Sequence, residues 1–112
     1  MNPGRGEVWF ADLPTGRGHE QAGSRPVLIV SDDTYNQGPA GLVVIVPLST
    51  KQKPGALRLP VEPPEGGVKA PCVVLCEAVR SIAKERLTAY WGVLEPATLA
   101  LVEDRLRILL GL

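Results

Sequence analysis

Short apolar runs separated by glycine and proline are the feature that most limits how this chain can fold. The 112 residues include 12 glycines and 11 prolines, which fall between the apolar runs rather than in one block. This alternation is typical of short strands joined by turns, because glycine and proline interrupt regular structure and favour tight connections. The runs that predict strands are 7–11, 26–30, 41–48, 56–61, 70–79 and 89–93, with 56–61 at a sheet edge.

The C-terminal segment has a different pattern and predicts an amphipathic helix. Pro96 suits a first helical position, and Gly111 suits a helix end. Between them, apolar residues recur at helical spacing at Leu99, Val102, Leu106 and Leu109. Residues 31–33 predict the cap of a short helical turn, and 81–87 are ambiguous, with one helical turn as an option. We therefore expect one mainly β (α+β) domain over 1–112, a small, strongly bent β-barrel with the helix packed against it.

Charge and cysteine content exclude several classes of protein. The formal net charge is zero, which argues against a non-specific nucleic-acid binder but leaves room for a local basic patch. On one strand, Cys72 and Cys76 would lie about 13 Å apart, too far for a disulfide. Two cysteines and one histidine argue against a structural zinc site, so we predict no metal and no cofactor. No signal peptide and no membrane span is recognisable, and we expect a cytoplasmic protein.

The first polar feature is the loop 12–24, which is long for so small a domain and leads directly to Arg25. An arginine at the mouth of a buried strand can present its planar fork to a phosphate. A structural ion pair with Glu20 or Glu77 explains the same residue equally well. His19 in this loop could act as a general acid or base, or could simply be solvated.

Three further polar features follow other predicted strands. Ser49 and Thr50 could donate hydrogen bonds to a phosphate, although capping a turn is the ordinary role for such residues. Lys51 and Lys53 form a solvated loop that could also attract a nucleic-acid backbone. Glu77, at the end of an apolar run, could be a base or could mark the point where the strand meets water. Arg80 follows three residues later.

Three segments together resemble the MazF/PemK toxin family. The first comprises Arg5-Gly6-Glu7-Val8-Trp9-Phe10 and Gly18-His19-Glu20-Gln21-Ala22-Gly23-Ser24-Arg25-Pro26; the second is Val46-Pro47-Leu48-Ser49-Thr50; the third is Leu75-Cys76-Glu77-Ala78-Val79-Arg80-Ser81-Ile82. The resemblance implies a CcdB-like, SH3-like barrel, a homodimer and a cognate antitoxin. It also implies sequence-specific, ribosome-independent and metal-free cleavage of single-stranded mRNA, giving 2′,3′-cyclic phosphate and 5′-hydroxyl ends.

The resemblance also assigns roles to individual residues. Arg25 matches the arginine that stabilises the phosphate in the transition state, and Ser49 matches a threonine of many members, with Thr50 as its rival. Glu77 matches an acid that serves as base in some relatives, and His19 a histidine used by some. Some relatives carry an arginine as proton donor two residues before that acid, where this chain has Leu75. We therefore expect Arg25 to be the main cation, with no second arginine beside Glu77.

RNA contacts are expected from the loop 12–24, from the polar loop that begins at Thr50, and from Arg80, three residues after Glu77. The expected contacts are Arg17, Glu20, Gln21, Thr50, Lys51, Lys53 and Arg80. Two rival functions use the same barrel: a non-catalytic CcdB-like inhibitor of DNA gyrase and a degenerate toxin that only binds its antitoxin. A plain SH3-like interaction module is disfavoured, because the chain has only five aromatic residues to line a groove.

Overall fold

The computed structural model describes residues 2–14, 18 and 22–112, and in them strands and one long helix dominate. The strands are β1 Glu7–Leu13, β2 Gly23–Ile29, β3 Leu42–Ser49, β4 Arg58–Val61, β5 Cys72–Leu75, β6 Arg80–Ala83 and β7 Leu87–Val93. The helices are α1 Asp33–Gln37 and α2 Pro96–Leu110, and 3₁₀ turns lie at Glu65–Gly67, Cys76–Ala78 and Lys84–Arg86.

The strands form one antiparallel sheet with the order β4-β5-β3-β2-β1-β7. β3 is its hub, because β2 pairs along one side while β6 and β5 pair in turn with its first and last residues. The two ends of the path, β4 and β7, are not paired with each other in the described residues. The expected mainly β barrel-like fold with a C-terminal helix is confirmed, as a bent sheet that remains open.

Two apolar clusters fill the two faces of this sheet. One contains Val8, Leu28, Val46 and Val102, and it buries the inner side of α2. The other contains Trp9, Val27, Ile29, Val43, Ile45 and Ile82. Successive residues of β1 and β2 enter opposite clusters, as the two-residue period of a strand requires. The continuous apolar run 26–30 therefore follows from burial of β2 on both faces.

Both predicted helices are confirmed, with caps that their sequences explain. The Asp32 side chain accepts a hydrogen bond from the Thr34 amide at 2.9 Å, which starts α1. Pro96 opens α2, and Gly111 ends it in the left-handed conformation at φ 72°. No helix in the described part of the chain is long and apolar enough to cross a membrane.

The predicted strand 70–79 is wrong in its second half. β5 ends at Leu75, the 3₁₀ turn Cys76–Ala78 redirects the chain, and a new strand, β6, pairs with the start of β3. The option of a helical turn at 81–87 is also wrong for its first residues, which belong to β6, whereas a 3₁₀ turn does follow. Apolar composition continues through the turn because Cys76 is fully buried, so hydrophobicity alone could not mark the break.

Candidate active site

A small open pocket lies where β2 begins and β3 ends. It has a volume of about 220 Å³ and is lined by Ser24, Arg25, Pro26, Leu48, Ser49, Thr50, Lys51 and Cys72. We call it the Arg25 pocket. The pairing of β2 with β3 explains its composition, since Val27 lies opposite Pro47 in an antiparallel register. Continuing that register by two residues puts Arg25 opposite Ser49. The structure thus brings together residues 24 positions apart in sequence.

Arg25 is held at the pocket wall by its own loop. Its side chain is partly buried, and Nη2 donates to the Ala22 carbonyl at 2.8 Å. The alternative ion pair with Glu77 is not formed, because Glu77 pairs with a different arginine, Arg58. Glu20, the other suggested partner, lies outside the described residues.

Ser49 is nearly buried, with 7% of its surface exposed, and is also oriented by a neighbour. Its Oγ accepts a hydrogen bond from the Lys51 amide at 3.1 Å. Because Oγ accepts this hydrogen bond through a lone pair, the hydroxyl proton can still be donated to a ligand in the pocket. Thr50, the rival hydroxyl, lines the same pocket but is exposed. The turn-capping and phosphate-binding roles of Ser49 are therefore compatible with each other.

Glu77 lies outside the Arg25 pocket, in the 3₁₀ turn after β5. Its Oε2 accepts from Arg58 Nε at 2.6 Å, with about a third of each side chain exposed. Both residues line a neighbouring pocket of about 350 Å³ together with the segment Lys53–Leu57. We call this the Arg58 pocket. The expectation that no second arginine lies beside Glu77 is wrong, because β4 pairs with β5 and places Arg58 opposite Leu75.

The remaining predicted contacts are divided between these surfaces. Lys51 and Thr50 line the Arg25 pocket, whereas Lys53 lines the Arg58 pocket. Arg80 lies on β6 opposite Ile45 and lines neither of them. The four loop residues Arg17, His19, Glu20 and Gln21 lie outside the described residues.

Both cysteines belong to the core, and Cys72 also lines the Arg25 pocket. Both thiols are free and buried. Burial, with a smaller contribution from Glu62, raises the pKa of Cys72. Burial and the nearby Glu77 carboxylate raise the pKa of Cys76 to about 11. Neither thiol is therefore an activated nucleophile at neutral pH.

Comparison with known proteins identifies the family. Residues 4–110 match the family described as PemK-like, MazF-like toxin of type II toxin-antitoxin system. The endoribonuclease EndoA of Bacillus subtilis is 32% identical over 109 residues, covering 96% of this chain and 94% of the relative. The endoribonuclease MazF9 of Mycobacterium tuberculosis is 32% identical over 113 residues, covering 96% of each chain.

Solved structures agree with this assignment over the whole chain. The crystal structure of MazF from Deinococcus radiodurans has a TM-score of 0.87 at 29% identity, covering 100% of this chain and 99% of that one. A mycobacterial endoribonuclease in complex with its cognate antitoxin has a TM-score of 0.76 at 29% identity, covering 99% and 95%. On this evidence, the chain belongs to the family of PemK-like, MazF-like toxins of type II toxin-antitoxin systems.

Proposed function

We propose that this protein is a sequence-specific, ribosome-independent endoribonuclease that cleaves single-stranded mRNA without a metal ion, as the toxin of a type II toxin-antitoxin system. The observation that carries the proposal is the convergence of Arg25 and Ser49 on one pocket from two neighbouring strands. A fixed guanidinium beside an oriented hydroxyl suits a phosphate group. The relatives named endoribonucleases support the same activity.

The chemistry that such a pocket supports is an internal displacement at phosphorus. A base removes the 2′-hydroxyl proton, the 2′ oxygen bonds to phosphorus, and the bond from phosphorus to the 5′ oxygen breaks. The 5′ oxygen takes up a proton, which leaves a 2′,3′-cyclic phosphate and a 5′-hydroxyl. Charge grows on the non-bridging oxygens, where Arg25 and Ser49 donate hydrogen bonds that strengthen in the transition state.

For the base, we propose Glu77 or His19. The Glu77 carboxylate lies in the neighbouring Arg58 pocket, where its Oε2 accepts a hydrogen bond from Arg58 Nε. His19 belongs to the loop that leads into Arg25. Separate Glu77→Gln and His19→Gln variants distinguish them, since loss of the base lowers kcat while the Arg25 and Ser49 contacts to phosphate remain.

The proposed partners are the RNA substrate, a cognate antitoxin and a second copy of this chain, all in the cytoplasm. A mycobacterial relative has been solved with its cognate antitoxin. For the homodimer, α2 offers a suitable surface: Leu101 and Ile108 lie seven positions apart on one side of the helix and are 43% and 72% exposed. Apolar residues exposed together in this way are typical of an interface.

Incubation of the purified protein with a long single-stranded RNA in EDTA tests the proposal. We expect discrete fragments with cyclic phosphate ends, and cleavage by Arg25→Ala at least about a hundredfold slower. Arg25→Lys should restore little, because lysine cannot reproduce the planar fork. As a matched control, Arg107→Ala removes an exposed arginine on α2 that is paired with Asp104 at 2.9 Å.

Near-wild-type cleavage by a folded Arg25→Ala variant would refute the assignment of Arg25. RNA left intact by the wild-type protein would instead refute the nuclease itself. The CcdB-like gyrase inhibitor and the degenerate toxin would then remain, and DNA supercoiling and antitoxin-binding assays would separate them.

A further inference from the structure

We propose that Arg58 and Lys53 form a second subsite, which binds the RNA backbone beside the scissile phosphate. This inference rests on the proposed nuclease function and extends it to a surface that the reacting phosphate does not occupy. The site is the Arg58 pocket, a cleft of about 350 Å³ between the 53–57 segment and the 3₁₀ turn Cys76–Ala78.

Arg58 is held in place in a manner suited to binding an anion. Its backbone forms two hydrogen bonds with Gly55, each of 3.2 Å, which close a tight turn at the start of β4. Its Nε donates to Glu77 at 2.6 Å, and its Nη1 donates to the Gln52 side chain at 3.3 Å. Nη2 forms no hydrogen bond to the part of the chain that the structure describes. With 38% of the side chain exposed, a ligand can reach the guanidinium.

The distance to the Arg25 pocket suits neighbouring positions on one RNA strand. Ser49 lies opposite Val73 on β5, and Arg58 lies opposite Leu75 on the same strand. The Cα atoms of Ser49 and Arg58 are therefore offset by two residues along the strand direction, roughly 7 Å, and by two strand spacings across the sheet, about 10 Å. The direct separation is roughly 12 Å. Long arginine and lysine side chains shorten this gap, so an extended strand in one pocket can continue into the other.

The residues that line the two pockets carry an excess of positive charge, although the net charge of the whole chain is zero. The segment 50–55 separates them, contributing Lys51 to one and Lys53 to the other. The described residues that line the two pockets comprise four basic side chains, Arg25, Lys51, Lys53 and Arg58, and one acidic side chain, Glu77. Four basic side chains spread over two neighbouring pockets fit a polyanion better than an isolated phosphate.

Glu77 does not cancel this attraction, because one carboxylate faces two cations in the Arg58 pocket. Its hydrogen bond to Nε fixes the plane of the guanidinium instead. An ion pair this exposed adds little to stability. Loss of Arg58 is therefore expected to affect RNA binding more than folding.

The test uses a synthetic oligoribonucleotide centred on a cleavage site mapped in the long RNA, and copies shortened from either end. With the longest oligonucleotide, Arg58→Gln should raise KM about tenfold, the effect of one lost charged hydrogen bond. Shortening from one end should remove the difference between variant and wild type, because the second subsite is then empty in both. Arg58→Lys should restore much of the affinity. The slope of log binding constant against log salt should fall by about 0.7 for Arg58→Gln.

Arg107→Gln is the matched control, and it should alter neither KM nor the salt slope. If Arg58→Gln lowers the melting temperature strongly, the same measurements are made on Lys53→Gln. Lys53 forms no ion pair with the described residues, so its replacement should leave folding unchanged. An equal KM increase at every substrate length, or a loss confined to kcat, would overturn the subsite. Failure of the wild type to cleave any RNA would refute the nuclease proposal, a distinct result.

Discussion

Ser49 offers the sharpest separation of structural and catalytic roles, and Ser49→Ala is the change that tests it. The substitution removes one hydrogen bond, from the Lys51 amide to Oγ at 3.1 Å, at a position 7% exposed. A hydrogen bond of this kind contributes about 1 kcal/mol. For a domain of this size, the melting temperature should fall by roughly 4 °C. The protein should therefore remain folded at assay temperature.

The effect on catalysis should be much larger than the effect on folding. If the hydroxyl donates to the phosphate in the transition state, its loss should slow cleavage by about 100- to 1,000-fold, or roughly 3–4 kcal/mol. Single-turnover cleavage of the mapped oligonucleotide in EDTA measures this rate without product release. Ser49→Thr should remain far more active than Ser49→Ala, because threonine retains the hydroxyl.

Thr50→Ala is the matched control, since Thr50 lines the same pocket from an exposed position. Because Thr50 is itself an expected RNA contact, we expect a modest loss of cleavage, far smaller than the loss in Ser49→Ala. A Ser49→Ala rate within about threefold of wild type, which is about 0.7 kcal/mol, would refute the role of Ser49. A large loss in Thr50→Ala alone would transfer that role to Thr50.

Two further predictions concern the scaffold. Gly67→Ala should destabilise the protein far more than Gly111→Ala: both glycines have φ near +70°, but only at Gly67 would the new Cβ meet backbone, 2.2 Å from the Trp91 carbonyl oxygen. Thermal melting should show about 1–3 kcal/mol of extra loss, and equal losses would contradict the predicted overlap. The pKa of Cys76 is raised from 9.0 to about 11, which means that the folded state holds the thiol proton more tightly than the unfolded state does. The protonated thiol therefore contributes its full stabilisation below pH 9.0, and this stabilisation is lost as the pH rises to about 11. Melting from neutral to alkaline pH should show this loss in the wild type and a smaller loss in Cys76→Ala, whereas equal losses would exclude the thiol as its source.

The two strand ends that form the Arg25 pocket were predictable from the sequence, because they belong to the two clearest strands. The continuous apolar runs 26–30 and 41–48 mark β2 and β3, and both belong to the observed sheet. Neighbouring antiparallel strands bring the start of one to the end of the other. The pattern placed Arg25 and Ser49 at strand ends, the family resemblance assigned both to one site, and the pairing of β2 with β3 brings them together.

The Arg58 pocket was not predictable in the same way. Its ion pair depends on β4 pairing with β5, strands joined by the segment 62–71, whose length and conformation fix no register. The predicted strand 70–79 breaks at the Cys76–Ala78 turn, and this turn determines where Glu77 lies. The break could not be predicted from hydrophobicity, because Cys76 in the turn is as buried as a strand residue. Register between distant strands depends on tertiary packing, which local composition does not record.

Leu75 shows why the cation beside Glu77 comes from another strand in this chain. Leu75 is 2% exposed and packs in the core, where an unpaired arginine would carry a large desolvation cost. Arg58 lies opposite Leu75 but extends its guanidinium to the surface, where it reaches Glu77 without burial of its charge. The core position thus remains apolar, and a guanidinium still accompanies the carboxylate. An arginine bonded in this way to both Glu77 and Gln52 couples the acid to the loop that separates the two pockets. A change at Arg58 should weaken binding of the RNA segment that lies in the Arg58 pocket, whereas a change at Arg25 acts at the reacting phosphate.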